Sequence, residues 1–155
     1  MPCSKTEITE LIRKAFHGVT LGSGIGLWEG QAIDDHENEA TRKIYRERDE
    51  KLDWERIPVE ALNRCQSSLS FFDPEGMRFH LPAFMIAEVE GKTDVGCIFS
   101  LTHLDEYGRS KLAAISTEQS KAIREFLLFL RDSPDYHFDR PDIDRALSGY
   151  WMPKE

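Results

Sequence analysis

Two segments of this chain carry both a helix-start signal and an apolar stripe at helical spacing, and they constrain its fold more than anything else in the sequence. Near the N-terminus, Ile8, Leu11, Ile12, Ala15 and Phe16 fall at i, i+3, i+4, i+7 and i+8, one face of a 3.6-residue period. Ser4 and Glu7 stand ahead of them at capping-box spacing, and Gly18 supplies a residue suited to a left-handed stop. Late in the chain, Ser116 and Gln119 repeat the capping-box spacing before Ala122, Ile123, Phe126, Leu127 and Leu130, a stripe that Leu128 and Phe129 widen. A helix apolar on most sides belongs in the centre of a domain or against a partner. The sequence therefore predicts a mainly α domain of about six helices.

Between these anchors the reading is less regular. Leu27 to about His36 and Glu37 to about Asp49 read as helices, and Pro58 opens another through Val59, Leu62 and Cys65. Gln66-Ser67-Ser68 reads as a loop. Asp73-Pro74-Glu75-Gly76 is a turn signal, and Met77, Phe79 and Leu81 alternate with Arg78 and His80 at strand period. This reads as one small β-hairpin over 69–81 within the mainly α domain, with α+β as the alternative fold class. Pro82 then opens a helix that Gly91 stops, Cys97 to Leu104 is a strand or a helical turn, and Pro141 to Leu147 is a last short helix with Tyr150, Trp151 and Met152 folding back on the core. No repeat or linker divides the chain, so 1–155 reads as a single domain.

Composition narrows the function classes. With 20 Lys+Arg against 28 Asp+Glu the formal charge is −8, and no basic run offers the counterion release that nucleic acid binding needs or the charge that meets anionic lipid. Neither nucleic acid nor membrane is expected as a partner. The cysteines Cys3, Cys65 and Cys97 are odd in number and widely spaced, a reduced, intracellular pattern. The interrupted N-terminus is no signal peptide. A cytoplasmic protein is expected.

Motifs for common chemistries each miss a required residue. The Gly22-Ser23-Gly24-Ile25-Gly26 loop lacks the third glycine of a dinucleotide fingerprint and follows a helix, so it reads as a flexible connector. His36-Glu37-Asn38-Glu39-Ala40 has alanine where a zinc helix needs its second histidine. No cofactor and no metal centre is expected from motifs. The five histidines show no ligand spacing. His80, set between Phe79 and Leu81, is the one that suits a half-buried general base. Neither Cys97 with His103 nor Cys65 with His80 is placed together by sequence. Asp49 and Asp53 lie at i, i+4 beside Glu50 and Trp54; on one helical face they would hold a divalent cation or pair with Arg46, Arg48 or Arg56. Trp28, Trp54, Tyr136, Phe138, Tyr150 and Trp151 form a candidate aromatic surface. The acidic stretch Asp132, Asp135, Asp139, Asp142 and Asp144 would meet a basic partner or cap helices.

IRKAF at 12–16, Asp34 with Arg48-Asp49-Glu50 and Asp53-Trp54, Phe72-Asp73-Pro74-Glu75-Gly76, Phe79 through Met85, and Gln119 with Phe126-Leu127 together resemble a family of small uncharacterised bacterial proteins. The resemblance spans most of the chain and implies one domain from a bacterial cytosol. It implies no catalytic residues. Similarity in size and charge to immunity partners of toxins is an analogy only.

The leading expectation is therefore an acidic protein-interaction module rather than an enzyme, with Arg48, Trp54 and Trp28 as binding residues. The second is a carboxylate enzyme with Asp49, Asp53 and His80 in catalytic roles, aided by a divalent cation. The third is a structural homodimer formed through 117–131.

Overall fold

A computed structural model describes residues 4–153. Cys3 lies outside the described residues. Nine α-helices run through them: α1 (Lys5–Ala15), α2 (Leu27–Asp34), α3 (Glu39–Glu47), α4 (Val59–Arg64), α5 (Pro74–Val89), α6 (Ile98–Thr102), α7 (Glu106–Lys111), α8 (Thr117–Arg131) and α9 (Arg140–Gly149), with 3-10 turns at Trp54–Arg56, Gln66–Ser70 and Pro134–Asp139. The mainly α expectation holds.

Both expected capping boxes form. Ser4 Oγ accepts from Glu7 N while Glu7 accepts from Ser4 N, and Ser116 and Gln119 do the same. Two orphan donors at each helix start are thereby satisfied. The apolar face of α1 lies on α8 and α5. Gln119 Nε2 ties α8 to the last turn of α1 by donating to Ala15 O at 3.3 Å. The breadth of the α8 stripe is used inside the protein: Ala122, Ile123, Phe126, Leu127 and Leu130 are buried, and Leu128 and Phe129 pack on the same core.

The expected hairpin at 69–81 does not form, and no strand occurs among the described residues. Asp73-Pro74-Glu75-Gly76 starts a helix instead. Asp73 Oδ1 accepts from Gly76 N at 2.9 Å, and Pro74 occupies the first helical position, where its missing N–H costs nothing. The apparent two-residue alternation arose because α5 is buried nearly all round, His80 included, so its sequence has no polar face to betray a period of 3.6. Pro82 lies inside α5 rather than at its start. Its ring nitrogen cannot donate to the Arg78 carbonyl one turn back. Residues 66–70 are likewise a 3-10 turn rather than a loop, and 98–102 are helical rather than extended.

The glycine-rich segment 22–26 is clamped, not flexible. Arg46 donates to the carbonyls of Gly22 and Gly24 and to Glu29. Ile25 N donates to Asp73 Oδ1 at 2.9 Å. A β-carbon on Gly24 would sit 2.7 Å from Gly76 N, so the glycine is required by close approach of two backbones.

Candidate functional site

The clamped loop delivers the chain into α2, and the first turn of α2 needs acceptors for its free N–H groups. Asp49 provides them from beyond α3. Its Oδ1 accepts from Trp28 N at 2.6 Å and its Oδ2 from Glu29 N at 3.2 Å. Gly26, in extended backbone at the N-cap, leaves room for this carboxylate; a β-carbon there would overlap it and come within 2.9 Å of Asp49 Cβ. Asp49 is buried, and burial outweighs the two backbone hydrogen bonds and nearby Lys51, so its carboxyl is pushed up to about 6.

A cleft of about 290 Å³ opens beside this cap. It is lined by Leu27, Trp28 and Asp49, by Arg48, Glu50 and Arg56, and by Ile57, Pro58, Ala61 and His80. Its charges are sorted by depth. Asp49 and His80 are buried and Glu50 is half-buried, whereas Arg48 and Arg56 are exposed. The Arg48 guanidinium lies 4.2 Å from the centre of the Trp28 ring, a cation–π contact that orders the rim.

His80 is fully buried. Its ring stacks on Phe72 with centroids 4.4 Å apart and meets Phe79 edge-on. Nδ1 lies 2.7 Å from Gly76 O, so Nδ1 carries the proton and donates. Nε2 is then a bare acceptor, and no protein group among the described residues meets it. Burial lowers the imidazole to about 4, against the opposing pull of Gly76 O and Asp73, and keeps it neutral near pH 7.

The structure thus gathers Trp28, Arg48, Asp49 and His80 around one cleft, and it separates the other candidates from them. Asp53 shares no helical face with Asp49, because α3 ends at Glu47. It caps the 3-10 turn instead, accepting from Glu55 N at 3.0 Å with Arg56 3.9 Å away. Trp54 does not join the binding set. It is buried in the core, held by donation from Nε1 to Phe16 O at 2.9 Å. Trp151 is buried the same way, its Nε1 donating to Leu101 O at 2.8 Å. The expected aromatic surface therefore dissolves: Tyr136 donates to Glu88 Oε2 at 2.5 Å, Tyr150 is half-buried, and Phe138 alone of the six stands 93% exposed. In the acidic C-terminal stretch, Arg131 pairs with Asp144 and Asp132, and Arg145 with Asp142.

Cys65 and Cys97 are buried free thiols. Burial pushes Cys65 up to about 12 and Cys97 well above its ordinary value, which suits inert packing rather than nucleophilic chemistry. Among the described residues no three His, Cys, Asp or Glu side chains gather as metal ligands would, and no helix is long and apolar enough to cross a membrane. Ile57, Pro58 and Ala61 complete the cleft without having been singled out in the sequence. Only Pro58, as a helix-start residue, carried a local signal.

No curated protein and no solved structure matches the chain. The family model that does match covers residues 4–155, and on that match the chain belongs to a family of unknown function, DUF6714.

Proposed function

We propose that the chain is a protein-interaction module that receives one side chain of its partner in the Trp28–Arg48–His80 cleft. The observation that carries this reading is His80 Nε2, a fully buried acceptor that no protein group among the described residues meets. Such an atom costs about 1–3 kcal/mol until a donor reaches it, and His80 is one of the residues that line the cleft. The cleft is at the small end for a ligand site. Pockets for whole small molecules run from roughly 300 to 1,000 Å³, and this one lies just below that range. The Trp28–Arg48 stack at its mouth joins two residue types enriched where binding energy concentrates. The charge of −8 favours a basic partner. Two unpaired buried thiols fit a cytosolic setting, and one hydrophobic cluster running from Ile8 to Trp151 fits a single domain.

The test compares the wild-type protein with Arg48→Glu and Trp28→Ala as baits in extracts of the native host. Binding is then reconstituted from purified components. A partner held by the wild type and lost from both variants, at unchanged melting temperature, is the expected result. Retention unaffected by either substitution refutes the reading.

A further inference from the structure

The partner group that fits the cleft can be read from the sorting of charge within it. At the buried end there are two acceptors and no donor that a ligand could use. His80 offers Nε2, its only donor being committed to Gly76 O. Asp49 offers the remaining lone pairs of a carboxylate whose two oxygens each hold one backbone N–H, since an ionised carboxylate has about four acceptor positions. An anion finds nothing there but repulsion. A donor-rich cation finds both acceptors and offsets the cost of a carboxylate held out of water. The apolar part of the lining is Leu27, Ile57, Pro58 and Ala61. The charged groups around Asp49 are Lys51, whose Nζ donates to the Asp49 carbonyl at 3.0 Å, Glu29, paired with Arg46, the half-buried Glu50 of the cleft lining, and the exposed Arg48 and Arg56. The Arg48 guanidinium stacks on Trp28 and makes no ion pair among the described residues, which leaves it available to the backbone carbonyls of a bound chain.

We propose that the cleft binds a lysine side chain of the partner protein, its ammonium donating to Asp49 and to His80 Nε2 while its methylenes lie along Leu27, Ile57, Pro58 and Ala61. This rests on the interaction reading above and gives it a chemistry. The lysine stem is apolar and the head is a compact three-donor cation, which matches a cleft lined by apolar side chains and two acceptors. No covalent step is involved.

The experiment titrates the protein, with histidines labelled with nitrogen-15, against N-acetyl-lysine methylamide. The imidazole nitrogen resonances are followed, and His80 is assigned by its loss in His80→Phe. N-acetyl-norleucine methylamide, which keeps the four-carbon stem and lacks the ammonium, butylammonium and butyrate are titrated in parallel. The expected result is a saturable shift of the His80 Nε2 resonance with the lysine amide in the millimolar range. Norleucine amide and butyrate should leave it unmoved. Asp49→Asn should weaken the response about tenfold or more, since it removes a charge-assisted hydrogen bond. If that variant fails to fold, the wild-type comparison of lysine with norleucine decides alone. No shift with the lysine amide, or an equal shift with norleucine or butyrate, overturns the proposal. A response to butylammonium but not to the lysine amide also overturns it, assigning the site to a free amine. If a partner depends on Arg48 while the lysine amide fails to bind, the lysine inference falls and the interaction reading stands. If the lysine amide binds and no partner depends on Arg48, the cleft's preference for a lysine side chain stands, and the interaction reading falls together with the assignment of that lysine to a partner protein.

Discussion

Replacing Gly26 by alanine isolates the contact on which the cleft is built. Gly26 has φ −78° and ψ 170°, a conformation open to any residue, so the substitution carries no backbone strain. Its whole effect comes from the new methyl group, which would overlap the Asp49 carboxylate. Either the methyl is forced into a filled space, at about 1–3 kcal/mol for overpacking, or Asp49 leaves and α2 loses its remote cap, at about 1–2 kcal/mol by analogy with ordinary N-caps. Return of the buried carboxylate to water offsets part of the second cost. The cheaper response wins, so we expect Gly26→Ala to destabilise by about 1–2 kcal/mol, a fall in melting temperature of roughly 2–8 °C for a chain of this size. The assay is urea denaturation of the wild type, Gly26→Ala, Asp49→Ala and the double variant. If the mechanism is the carboxylate, Gly26→Ala costs little once Asp49 is alanine, because only a tight β-carbon contact remains; the coupling is then above the roughly 0.5 kcal/mol scatter of independent sites. Additive costs would refute the account of the cap and with it the architecture of the cleft.

Three other outcomes follow from the same geometry. Asp49 and His80 give opposite pH signatures: Asp49 is raised from 3.8 to about 6 and so adds stability only at low pH, losing it as pH rises through 6, whereas His80 is lowered from 6.5 to about 4 and loses its contribution as pH falls through that window. On acidification from pH 7 to 4, wild-type stability should therefore rise relative to Asp49→Asn and fall relative to His80→Phe, each by up to about 3 kcal/mol; two differences of the same sign in urea titrations would contradict this. Trp151→Ala removes a buried indole and leaves the Leu101 carbonyl without its donor, so a loss of about 3–5 kcal/mol is expected by calorimetry, and a loss under 1 kcal/mol would show that the C-terminal segment is dispensable. Cys65 and Cys97 should resist a water-soluble disulfide reagent in the native protein and react as denaturant unfolds it; rapid native labelling of either would contradict their burial.

What the sequence disclosed was local. The capping boxes at Ser4–Glu7 and Ser116–Gln119 are complete within four residues, so spacing alone reveals them. Asp73-Pro74 misled because an aspartate accepting from the third N–H ahead, followed by proline, is shared chemistry of turns and helix starts. Which one forms is decided by whether the following residues are buried, and in α5 they are. The cleft was half legible. Asp49, Arg48, Trp28 and His80 stand out as residue types, but by spacing Asp49 pairs with Asp53, because both fall on one projected helix. Its actual partners are the backbone of Trp28 and Glu29, reached only because the Gly22–Gly26 loop folds against Arg46. Trp54 and Trp151 show the same limit from the other side. Tryptophan serves a surface or a core equally well, and the carbonyl that accepts each indole proton, on Phe16 or Leu101, belongs to a distant segment.

The tie between Gln119 and Ala15, with α1 laid against α8, bears on how the polypeptide is made. A chain emerging from the ribosome at about 5–20 residues per second exposes Ile8, Ile12 and Phe16 long before their covering helix exists. Nascent α1 can be covered in part once α5 is made, but the rest of its apolar stripe waits for α8. Folding is then completed by the docking of α8 on α1, and the amphipathic helix α1 is the natural point for a holding chaperone to engage.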